Sequence, residues 1–178
     1  MRVIEHRRHT MRVKPGDHLS QAGVDLARHV GATMGRCDLV VTSPVARAFE
    51  TAIAMGFAVD EQWPALAPPP EAVQDEANWE KGCAEYARAA QLGGATAHYL
   101  SDLAEQFLAL AHRLPEGGRA LVVSHGGVVE AATVACLPDK DYFGWTTSSD
   151  YCEGVRLYLI NGQFSDAEAL RLNPSDHE

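Results

Sequence analysis

Ala120-Leu121-Val122-Val123-Ser124-His125-Gly126-Gly127 is the stretch from which the fold can be read. Four consecutive apolar residues, closed by a polar pair and two glycines, have the length and pattern of a buried strand. A helix follows, running to about Ala135. The same sequence of strand, polar turn and helix recurs upstream. Asp38-Leu39-Val40-Val41 is a second short buried strand, ended by Thr42-Ser43-Pro44. With Ser43 as cap and Pro44 at the first helical position, a helix is predicted from there to about Met55, with Gly56 as its stop. Val3-Ile4 opens a third strand that runs toward His9. After the turn Lys14-Pro15-Gly16-Asp17, Ser20 caps a helix in which Ala22, Leu26, Ala27 and Val30 recur at helical spacing, with Gly35 ending it.

Between the second strand and the quoted one the composition changes. Trp63-Pro64-Ala65-Leu66-Ala67-Pro68-Pro69-Pro70 cannot be a regular helix, because each proline removes an amide donor and restricts its predecessor. Trp79, Cys83, Tyr86, Ala87 and Ala90 then mark one face of a helix that Gly93-Gly94 breaks. Tyr99, Leu103, Phe107, Leu110, Ala111 and Leu114 mark a stronger one. Near the C-terminus, Val155–Ile160 reads as a strand meeting the hairpin turn Asn161-Gly162. Strands alternating with helices predict an α/β fold: a three-layer sandwich with a mainly parallel central sheet flanked by helices. A single domain is expected over residues 1–178, with a small helical cap inserted at roughly 60–98.

Composition bounds the partners. A chain of 178 residues buries a substantial core without disulfides, and its formal charge of −9 argues against general nucleic-acid binding. The basic residues Arg2, Arg7, Arg8, Arg12 and Lys14 gather near the N-terminus as either a solvated loop or a substrate-facing rim. Cys37, Cys83, Cys136 and Cys152 show no CxxC spacing and read as reduced, partly buried thiols. The N-terminus lacks the apolar core of a signal peptide, and no segment approaches the roughly 18 apolar residues of a membrane span. A cytoplasmic location without membrane contact is expected.

His9 and His125 each follow an apolar run, and Arg47 opens the helix after another. In an open α/β sheet ligands bind where strands end, so these residues and Arg8 can converge on one small anion. Arginine presents a planar fork of donors that matches phosphate oxygens. A neutral imidazole can attack phosphorus and split a transfer into two easier steps. His6 and His9 lack the spacing of a zinc motif, and the adjacent arginines repel a cation. Ser124 lacks the glycine of a serine-hydrolase elbow two residues before it. His18, His29, His98, His112 and His177 are expected at the surface, and Trp79 and Tyr86 as packing residues that would also face a ligand if their helix caps the site.

Four motifs carry a resemblance. Arg8-His9-Thr10 resembles the Arg-His-Gly signature of the histidine phosphatase, or phosphoglycerate mutase-like, superfamily. Leu19-Ser20-x-x-Gly23 resembles its helix start, and Ser43-Pro44-x-x-Arg47-Ala48-x-x-Thr51-Ala52 its most specific motif. Ser124-His125-Gly126-Gly127 is similar to its second-histidine motif. The resemblance implies His9 as the phosphorylated nucleophile and Arg8, Arg47 and His125 as the phosphate pocket, with Thr10, Arg12 and Gly126 against the substrate. It implies an acidic proton donor some two dozen residues past Arg47, where Glu71 stands first, with Asp75 and Glu76 close by. No metal or cofactor is implied. Thr10 replaces the usual glycine, and Pro15 falls where mutases carry a substrate-binding Asn. The expected activity is therefore a phosphatase acting on a small phosphorylated substrate. Protein phosphohistidine phosphatase, mutase-type transfer and a non-catalytic anion-binding module are the alternatives.

Overall fold

The computed structural model describes residues 1–173, whose centre is one six-stranded sheet. Its strands are β1 (Arg2–Arg8), β2 (Leu39–Thr42), β3 (Glu61–Gln62), β4 (Arg119–Ser124), β5 (Gly154–Ile160) and β6 (Gln163–Leu170). They stand in the order β3-β2-β4-β1-β5-β6. The first four in that order run parallel, and β5 and β6 extend the sheet beyond β1 as an antiparallel hairpin. The sheet is mainly parallel, as the alternation of elements predicts. The hairpin turns at Asn161-Gly162, both at positive φ (51° and 81°), the conformation this dipeptide accepts at least cost.

Successive side chains of a strand point to opposite faces, and each face meets its own helices. Val40, Leu121 and Val123 pack with Leu26, Ala27, Ala48 and Ala52 of α1 (Gln21–Thr33) and α2 (Ala46–Ala54). Val41, Ala120 and Val122 pack with Tyr86, Leu103, Phe107 and Val129 from α4 (Gly82–Ala90), α5 (Ala95–Arg113) and α6 (Val128–Cys136). The result is the expected three-layer sandwich.

Local departures have local causes. Ser20 caps α1 as predicted, its Oγ accepting from the Gly23 amide at 3.1 Å. Helix α2, however, starts at Ala46 behind Val45 rather than at Pro44. Ser43 continues the ladder one residue past β2: its amide donates to the Val123 carbonyl at 2.9 Å, and its hydroxyl lies 2.8 Å from His125 Nε2. The expected helix through Trp79 is divided into a 3-10 turn, Trp79–Lys81, and α4, whose first residue Gly82 turns the chain at φ 69°. Two short elements escaped the sequence reading: β3, and α3 (Glu71–Glu76) directly after the prolines. Neither is long enough to show a period. All four cysteines are free thiols. His177 lies outside the described residues. Among the described residues no helix is long and apolar enough to cross a membrane.

Candidate active site

Strand register brings the sequence motifs to one place. β4 lies between β1 and β2, with Arg8 opposite Ser124 and Thr42 opposite Val123. His9, His125 and Ser43, the residues following those strands, therefore emerge at the same edge of the sheet. Backbone bonds continue the ladder past the strands, His9 to Ser124 at 2.8 Å and Ser43 to Val123 at 2.9 Å. The His9 and His125 rings are 5.2 Å apart between centroids. Together with Arg8, Arg47 and Gly126 they line a cavity of about 200 Å³. Its remaining wall is Pro68, Pro69, Gln74, Trp79 and Tyr86. A larger groove, about 800 Å³, passes Ala87, Leu100, Val134 and Phe143, and none of the candidate catalytic residues reaches it.

The protonation of His9 follows from its partners. Its Nδ1 lies 2.7 Å from the Thr10 carbonyl, which can only accept, so Nδ1 carries the proton. Nε2 keeps its lone pair and accepts from Arg47 Nε at 3.1 Å. Burial lowers the His9 pKa to about 4; the Thr10 bond opposes this, and the charges of Arg47, Arg8 and Arg12 reinforce it. Burial, followed by Arg47 and His9, takes His125 down to about 2. Both imidazoles are neutral at pH 7.

The cations are held from behind. The Arg8 guanidinium lies between the Trp79 and Tyr151 rings, 5.1 and 4.7 Å from their centroids, and donates to the Ser149 carbonyl at 2.9 Å. Buried Glu130 accepts from the Gly127 amide and the Ser149 amide, both at 2.7 Å. One carboxylate thus ties the His125 loop to the segment that anchors Arg8. Arg47 is ion-paired with Asp17. The glycine pair lets the far wall close: a Cβ on Gly126 would come within 2.6 Å of the Trp79 ring, and one on Gly127 within 2.9 Å of the Tyr86 hydroxyl.

Of the residues expected from sequence, Arg8, His9, Arg47, His125 and Gly126 share the cavity. Three others stand elsewhere. Thr10 is fully buried, and its amide donates to Thr51 Oγ1 at 3.1 Å, so it shapes the His9 loop instead of facing a substrate. Arg12 donates to the Pro15 and Gly16 carbonyls, at 3.1 and 2.6 Å, and braces its own loop. Glu71 is exposed at the first position of α3 and is not on the lining; Gln74 of that helix is. Spacing from Arg47 locates that helix but not the direction in which its side chains project. Of the rivals, Asp75 is exposed, and Glu76 accepts from the Ala95 and Thr96 amides at 2.9 and 2.8 Å at the start of α5.

The sequence reading missed Pro68, Pro69 and Gln74, and Trp79 and Tyr86 line the cavity as well as pack. It also missed Tyr151, Ser149 and Glu130, which support Arg8 and carry no motif signal. Of the N-terminal basic residues Arg8 alone lines the cavity, while Arg7 is buried against Glu5. His6 points away into the core, its Nε2 2.6 Å from Ser124 Oγ and its ring beside Phe107.

Solved structures repeat this architecture. A phosphoserine phosphatase from Entamoeba histolytica, crystallised with 3-phosphoglyceric acid, superposes with a TM-score of 0.70 at 15% identity, covering 97% of this chain and 98% of that one. A mycobacterial glucosyl-3-phosphoglycerate phosphatase gives 0.61 at 17% identity over 95% and 97%. A phosphoglycerate mutase from Bacillus anthracis gives 0.63 at 13% over 94% and 92%. Identities this low establish a common fold. No curated protein sequence matches the chain. The model of the histidine phosphatase superfamily (branch 1) matches residues 5–167, and the chain belongs to that family.

Proposed function

We propose that the protein is a metal-independent phosphatase that hydrolyses a small phosphomonoester through a phosphohistidine on His9. The reading rests above all on the His9 tautomer: a neutral ring with Nδ1–H fixed on Thr10 and the Nε2 lone pair turned toward Arg47. In this reading the phosphoryl group displaces Asp17 from Arg47 and binds between Arg8 and Arg47, whose charges supply the stabilisation that a metal ion gives elsewhere. His125 shifts its Nε2–H from Ser43 Oγ to a phosphoryl oxygen. His9 Nε2 attacks phosphorus, the ester oxygen leaves opposite it with a proton, and water then hydrolyses the phosphohistidine.

The cavity supports a small substrate. About 200 Å³ is less than the roughly 300–1,000 Å³ of a drug-sized site. Segment 60–98 supplies Pro68, Pro69, Gln74, Trp79 and Tyr86 and acts as a cap over the phosphate, which disfavours a protein-borne phosphohistidine. Similar folds act on phosphoserine and glucosyl-3-phosphoglycerate by name, and small phosphate esters of a cytoplasmic metabolite are the class to screen. The test is a brief incubation with a labelled phosphoester followed by quenching. Wild type is expected to trap an acid-labile, base-stable phosphoenzyme, and His9→Ala none. A wild type that neither hydrolyses a broad panel nor traps phosphate overturns the reading.

A further inference from the structure

Building on this phosphatase reading, we propose that the Tyr86 hydroxyl is the proton donor to the leaving-group oxygen. Tyr86 lies on α4, is 1% exposed, and lines the cavity with His9, Arg47 and His125. Its hydroxyl has no hydrogen-bond partner among the described residues. Buried phenols normally find one. Tyr142 does, donating to the Thr133 and Leu137 carbonyls at 3.1 and 2.9 Å. Tyr99 also lacks a partner, but its oxygen is sealed in the core, whereas Tyr86 opens on the cavity. The hydroxyl rests against Gly127, where a Cβ would approach it to 2.9 Å. It therefore sits at the loop that carries His125, on the wall supplied by residues 68–86.

The other groups on the lining cannot give up a proton at the right moment. Arg8 and Arg47 hold theirs too tightly. His125 is neutral, with its pKa at about 2, and its Nε2 is engaged with Ser43. Gln74 does not titrate. Asp17 lies off the lining and is paired with Arg47. Tyr86 contributes the one hydroxyl. Burial pushes its pKa up, which keeps the phenol protonated, yet an alkoxide is more basic still. As the His9 Nε2–P bond forms and the P–O bond breaks, the electron pair goes to the ester oxygen, which takes the Tyr86 proton. The tyrosinate recovers a proton from the water that later attacks the phosphohistidine. Atoms and charge balance without an added reagent.

Tyr86→Phe removes the hydroxyl and keeps the ring in its packing. With glycerol phosphate, kcat/KM is expected to fall about 100-fold. With 4-nitrophenyl phosphate, whose leaving group departs without a proton, the fall is expected to stay within about 3-fold. A series of aryl and alkyl esters reads the same point: a shallow dependence on leaving-group basicity in wild type, a steep one in the variant. Equal losses on both esters, no loss on either, or the leaving-group signature in Glu71→Gln instead would overturn the proposal. Phosphoenzyme trapped from 4-nitrophenyl phosphate separates it from the phosphatase reading. Trapping in wild type with the wrong ester pattern overturns Tyr86 alone; no trapping in wild type overturns both.

Discussion

The two sides of the cavity are built in different ways. The phosphate side stands on three adjacent parallel strands, where register places Arg8, His9, Ser43 and His125 within a residue of the strand ends. The far wall is a proline run, a 3-10 turn and two short helices, held against the phosphate side by contacts of Trp79 and Tyr86 with the glycine pair. A sheet edge fixes side chains through a ladder of hydrogen bonds that leaves little choice of position. A wall of short elements is set by packing and a few local hydrogen bonds outside the ladder, so it can change its chemistry without disturbing the phosphate side. The division matches the proposed reaction, in which one side would hold the phosphoryl group common to all substrates and the other meet the part that varies.

The largest expected effect tests the phosphate side. Arg47→Ala should lower kcat/KM by about 10²- to 10³-fold, and by the same factor for alkyl and aryl esters, because the phosphoryl group is common to both. A loss confined to alkyl esters would dissolve the distinction between the two sides. Acid should come next. His9 and the core residue His6 have folded pKa values lowered to about 4 and about 3, mainly by burial. Their full contribution to stability is present above the unfolded value near 6.5 and is lost progressively as pH falls toward the folded values. By pH 5 His9 alone should cost on the order of 2 kcal/mol, read as a fall in Tm between pH 7 and 5. Activity of the folded enzyme should lose little of its neutral nucleophile over that range.

Glu130→Ala, which strips the Gly127 and Ser149 amides of their partner, should destabilise by about 2–3 kcal/mol in chemical denaturation and lower activity through a displaced Arg8. If it lowered stability and left activity intact, the two loops would be independent. Smallest of all, Gly162→Ala strains a hairpin position at φ 81° and should cost about 1 kcal/mol with kcat unchanged.

Much of this was legible beforehand for a physical reason. The apolar runs before His9, Ser43 and His125 announce strands, and strand ends in an α/β sheet announce a ligand site. Where the reading missed, local signal was absent. Helix α3 is six residues long, and β3 only two. Spacing also leaves open which way the carboxylates of α3 project: Glu71 and Asp75 are exposed, and Glu76 accepts from the amides that open α5. Ser43 illustrates a competition, since a residue suited to capping a helix is instead held by Val123 of β4 and by His125.

The sequence by itself determined the α/β class, the family motifs and the convergence of two histidines and two arginines, because periodicity and turn chemistry are local properties. Only the tertiary structure decided which nitrogen of His9 is free, what grips Arg8, and which side chains form the far wall. Those depend on contacts between residues distant in sequence: the parallel register of β1 with β4, Tyr151 brought beside Arg8, and Tyr86 laid against Gly127. No local pattern encodes such pairings; they exist once the layers have packed.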